Sequence, residues 1–143
     1  MIDLARLQQW TEDLQRLPDG PLEQAAQTLG LTGSLVARSD RIAAVTPLPE
    51  GVHELDLVRN EHGLTRIDLE LEQGFSCEDL DRVLGTGING PRVGPHSPHQ
   101  RRYLRSRPDL PSYCVVYAEF TDQELQPGSV STTLTVMRER REP

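Results

Sequence analysis

The chain contains no lysine: all fifteen of its basic residues are arginines. A GC-rich coding bias is the simplest source of that absence. Its physical consequence is that every cation is a planar fork suited to carboxylate partners. Aromatic residues are nearly as scarce, at 4% of the chain, so a core has to be assembled from Leu, Val, Ile and Ala. Cysteine occurs twice, as Cys77 and Cys114. Two cysteines without an export signal are expected to be reduced, buried thiols and not a bridge. No apolar run approaches the length of a membrane span. The stretch Met1 to Leu7, with Asp3 inside it, lacks both a basic n-region and an uninterrupted apolar h-region. It is therefore not read as a signal peptide, and the expected compartment is the cytoplasm unless a leader has been removed.

The 143 residues suffice for a single domain with one core. Net charge is −7, yet five of the fifteen arginines (Arg92, Arg101, Arg102, Arg105 and Arg107) fall within one short stretch. The overall negative field repels phosphate backbones, which argues against nucleic acid as a partner, and nothing points to a membrane.

Two segments resemble each other. Leu22 to Gly30 and Cys77 to Gly85 both read as short helices stopped by glycine, and strand-like runs follow each. The expected fold is therefore α+β: an N-terminal helical hairpin and a second short helix on one face of a mainly antiparallel sheet, arranged as two α-β-β-β repeats. Within the single domain 1–143, residues 1–17 form the N-terminal helix, 20–73 the first unit, 76–138 the second and 139–143 a frayed tail. The stripe Leu4, Leu7, Trp10, Leu14 and Leu17 marks the first helix. Pro21 opens the next, and Gly30 closes it. Strands are expected over 41–46, 52–59 and 64–72, then from Tyr103, over 113–120 and over 130–137, with Arg66, Asp68, Glu70 and Glu72 on the solvent side. Ser76 caps the helix that begins at Cys77. The stretch 86–98 reads as a long loop, functional or mobile.

Catalytic patterns are weak. His96 and His99 have metal-like spacing but lack local residues to complete a ligand set, so no metal is expected. The glycines of Gly85-Thr86-Gly87-Ile88-Asn89-Gly90 close a helix where a dinucleotide fingerprint would open one. Cys77, in a first helical turn, is the better nucleophile candidate, but Glu78, Asp79 and Asp81 oppose its thiolate. The exposed pair Asp68 and Glu70 reads as solvated charge. No enzyme activity and no cofactor is expected. What stands out is a surface: Arg92, Arg101, Arg102, Tyr103 and Arg105 are the expected binding residues, with Tyr103 as apolar anchor and the arginines facing a protein partner's acids. On that reading, Arg101 and Arg105 could both become Glu with little change in stability.

The helix ending Leu80-Asp81-Arg82-Val83-Leu84-Gly85, its counterpart Leu22 to Gly30, and the doubled order of elements resemble the tandem α/β repeat of the β-lactamase inhibitor protein and the related single-unit BamE-type lipoproteins. The resemblance covers residues 20 to 138. It implies a protein bound on an open sheet, although the export signal, lipobox cysteine and disulfides of those families are not seen. The expected function is a non-enzymatic protein-binding module, an inhibitor or immunity protein that occludes a partner toxin. The alternative is a small enzyme or ligand-binding protein using a pocket near the Thr86–His99 loop. Convergence of His96, His99 and Arg101 would favour the alternative, and a flat or concave exposed sheet the module.

Overall fold

A computed structural model describes residues 1–142. Three helices, α1 (Leu4–Arg16), α2 (Leu22–Thr28) and α3 (Cys77–Leu84), accompany eight strands. The strands are β1 (Ser34–Ala37), β2 (Ile42–Thr46), β3 (Val52–Asn60), β4 (Gly63–Ser76), β5 (Ile88–Asn89), β6 (His99–Arg105), β7 (Ser112–Phe120) and β8 (Val130–Arg140). They form one sheet in the order β1-β2-β3-β4-β8-β7-β6-β5, and every neighbouring pair is antiparallel. The fold is α+β. Among the described residues, no helix is long and apolar enough to cross a membrane.

The order reads inward from both edges. In each half a short helix precedes an edge strand, the chain meanders to the middle, and the final strands β4 and β8 pair, with Leu69 opposite Leu134. Each half carries four strands where three were expected. The missed ones are the edges β1 and β5, of four and two residues. β5 also divides the expected 86–98 loop, pairing Ile88 with Arg102.

Local chemistry explains the helices. Asp3 caps α1 by accepting from the Arg6 amide at 2.8 Å, and Ser76 caps α3 by accepting from the Asp79 amide at 3.1 Å. Gly30, at φ 72°, takes the left-handed turn after α2 that a side chain would resist. Where β4 bulges between Glu70 and Phe75, a Cβ on Gly74 would stand 1.9 Å from the Ser131 carbonyl oxygen, so only glycine lets the strands approach.

One core lies between the helices and the inner face of the sheet. Leu7, Trp10 and Leu14 of α1 meet Leu57, Ile67, Val116, Leu134 and Val136. Leu29 and Leu84, the last apolar residues before the two helix-ending glycines, are both buried. Trp10 Nε1 donates to the Leu29 carbonyl at 3.0 Å, tying α1 to α2. The C-terminal segment departs from expectation. β8 continues to Arg140, and Arg138 is only 5% exposed. Its guanidinium donates to the carbonyls of Leu64 and Leu17 at 3.0 Å and to Asp19 at 2.9 Å. Leu17 is the C-cap of α1 and Leu64 lies at the start of β4, so this one buried guanidinium ties both to β8. Of the expected tail, Pro143 lies outside the described residues.

Candidate functional site

Alternation along β6 divides the five expected binding residues. A strand turns successive side chains to opposite faces, so Arg101, Tyr103 and Arg105 face the helices while Gln100, Arg102 and Leu104 face away. Tyr103 is 1% exposed and is a core residue, not a surface anchor. Its hydroxyl donates to Asp81 Oδ1 at 2.8 Å. Arg101 grips the same carboxylate with Nε at 2.9 Å and Nη2 at 2.5 Å, and gives Nη1 to Asn89 at 2.7 Å. Burial pushes the Asp81 pKa up, but hydrogen bonds from Arg101 and Tyr103, the Arg101 charge and the Gly87 amide outweigh it and hold the carboxyl below its ordinary value. The Tyr103 hydroxyl is pushed far up, first by burial and then by the bond to Asp81.

Arg105 pairs with Glu12 of α1 at 3.1 Å and reaches the Leu84 carbonyl at 3.3 Å. These arginines therefore fasten α3 and α1 to β6. Arg92 folds its loop onto itself, donating to the carbonyls of Ser97, Pro95 and Gln123 at 2.9, 3.0 and 3.2 Å. Only Arg102 stands on the open face as expected.

The histidines do not converge with Arg101. His96 lines a shallow cleft of about 300 Å³ with Arg92, Pro98 and Glu119, but neither His99 nor Arg101 borders it. His99 Nε2 lies 2.9 Å from the Gln123 carbonyl oxygen. Among the described residues, no group of three or more His, Cys, Asp and Glu is placed to hold a metal. Cys77 and Cys114 are free and buried. Burial raises both thiols, Cys114 to about 12.

The face away from the helices is uncovered, and strand register sets its chemistry in rows. One row runs Ile42, Val58, Arg66, Met137, Val115 and Leu104 across six strands. The next runs Val36, Ala44, Asp56, Asp68, Thr135, Tyr117, Arg102 and Ile88. A third carries Glu54, Glu70, Thr133, Glu119 and Gln100. Near its centre lies a shallow, open hollow of about 350 Å³ bounded by Arg66, Asp68, Gln100, Tyr117, Thr135 and Met137. Large apolar side chains stand in water here: Val36 is 51% exposed, Ile88 63% and Leu104 64%. Carboxylates exceed cations. Arg38 serves both Asp56, at 2.6 Å, and Glu54, at 3.6 Å, and Arg66 Nε holds Asp68 at 3.0 Å. Glu54 is pushed above its ordinary pKa, first by a hydrogen bond to Asp56 and then by burial and the neighbouring acids.

Sequence reasoning recognised the acids of this face but not its apolar row. A signal for that row existed on β7, where Val115 stands between buried Cys114 and Val116. No protein-family model matches this chain, and no curated protein or solved structure matches it either.

Proposed function

We propose that this chain is a non-enzymatic protein-binding module of the inhibitor or immunity-protein kind, which neutralises a partner toxin by covering it with the open face of its sheet. The observation that carries this reading is the one-sided fold: the helices pack against the inner face, while the outer face is uncovered and presents Leu104 and Ile88 on neighbouring strands, Val36 at the opposite edge and a shallow hollow between them. An uncovered sheet face that sets exposed apolar side chains beside charged rows offers a partner both apolar burial and ion pairing. The excess of carboxylates suits a partner with basic groups, whose approach the net charge of −7 also favours.

The test uses the product of the adjacent gene, because an immunity protein is usually encoded beside its toxin. Co-expression should give a stable complex and relieve the growth arrest that product causes alone. Leu104→Arg and Tyr117→Arg should abolish both effects, whereas Gln27→Arg on the exposed side of α2 should leave them intact. Undiminished protection by the open-face variants would move the interface elsewhere.

A further inference from the structure

A cleft of about 630 Å³ lies away from the open face, between the start of α2 and the inner side of β1 and β2. It exists because α2 has seven residues and packs on β4, leaving the inner side of the β1–β2 edge without a helix over it. Leu22, Leu35 and Ala43 supply apolar lining. Arg41 and Arg59 also line it. The β2–β3 register sets Ile42 opposite Val58, and the Arg59 amide donates to the Arg41 carbonyl at 2.9 Å, so the two arginines stand opposite each other on neighbouring strands. Alternation from buried Ala43 and Leu57 turns both toward the cleft.

Like charges directly opposite on paired strands repel. Elsewhere in this chain the close guanidiniums share a carboxylate, as Arg105 and Arg107 share Glu12 and as Arg138 and Arg140 share Asp19. Arg41 and Arg59 share none: among the described residues neither has a carboxylate at ion-pair distance, although Glu23, Asp40 and Glu61 border the same cleft. Two guanidiniums that line one cleft from opposed backbone positions can receive one anion, which each can hold through paired N–H donors. The volume is that of a small-molecule site.

We propose that this cleft binds a small ligand with an anionic head, carboxylate or phosphate, gripped between Arg41 and Arg59, and an apolar body laid on Leu22, Leu35 and Ala43. The three carboxylates at the border limit the ligand to one compact anionic group, since a polyanion would meet them.

Titration of the full chain with octanoate and with octyl phosphate, followed by backbone amide shifts, tests this. At least one probe should give saturable shifts confined to Leu22, Leu35, Arg41, Ala43 and Arg59, and the tighter of the two identifies the head group. Arg41→Gln and Arg59→Gln should each weaken that probe about tenfold, the loss of one charge-assisted pair. Both arginines are exposed, so the variants should fold, and unchanged amide spectra outside the cleft would verify it. Absence of saturation with both probes, equal binding by the Gln variants, or equal binding of neutral octanol would each overturn the proposal.

Discussion

At the scale of single residues, Asp81 shows how few groups hold a helix on this sheet. One carboxylate accepts from Arg101, Tyr103 and the Gly87 amide, and thereby joins α3, β6 and the turn before β5. Asp81→Ala would leave a largely buried guanidinium and a buried phenol without their acceptor. The expected cost is about 2–3 kcal/mol, just below the range for breaking a fully buried pair because Asp81 retains some exposure. The sign of its pH dependence follows from its lowered folded pKa. The stability Asp81 contributes is present above its unfolded pKa of about 3.9 and is lost as pH falls through the lower, folded value. Chemical denaturation at pH 7 and pH 2 should show the wild type and Asp81→Ala converging in acid. The same geometry reverses the expectation for a charge reversal. Arg101→Glu with Arg105→Glu would set carboxylates against Asp81 and Glu12, and a severely lowered melting temperature is expected where a neutral outcome seemed reasonable from sequence. A melt matching wild type would mean those pairs are solvated.

The elements were legible in the sequence to the degree that their patterns were long and self-consistent. α1 and α3 carried caps and apolar stripes, and β3, β4, β7 and β8 are each nine or more residues long, with unbroken alternation along β7. β1 and β5 are too short for any period to register. β6 failed for another reason: both of its faces are polar, so alternation was visible but nothing indicated which side was inside. Tyr103 enters the core only because Asp81, on α3, satisfies its hydroxyl, and Arg101 follows for the same reason. Such a partnership depends on tertiary contact and leaves no local trace. The open face was half legible, since its acids stood out while the apolar row is built from single residues on six strands. Where helix and sheet do repeat, the equivalence has energetic content. Leu29→Ala and Leu84→Ala should each cost about 2–5 kcal/mol through lost transfer energy and a residual cavity. Urea titration of the pair checks it, and a loss below 1 kcal/mol at either site would show that its helix end can collapse onto the gap.

For the whole molecule, the open face raises the question of why the fold tolerates it. Glu54 stands opposite Glu70 and Asp56 opposite Asp68 on β3 and β4, two like-charged cross-strand pairs at the middle of the exposed surface. Such pairs destabilise a sheet, and Arg38 and Arg66 neutralise only part of the charge. Glu54 records the strain as a raised pKa. A carboxyl whose folded pKa lies above its unfolded value costs nothing in acid, where both states are protonated. Its penalty grows as pH rises through the unfolded pKa of about 4.3 and is complete above the folded one. Glu54→Gln, which keeps the shape and can still donate to Asp56, should therefore raise the melting temperature at pH 7, and the gain should vanish near pH 3. If the face serves a basic partner, the same substitution should weaken association and reduce its salt dependence, because a stability cost retained at an interface is repaid on binding. Melts at the two pH values, with partner affinity measured at low and high salt, separate the possibilities. A more stable Glu54→Gln that binds as well as wild type would leave the acids without a role in binding. A less stable one would show that the carboxylates on this face support the fold instead of straining it.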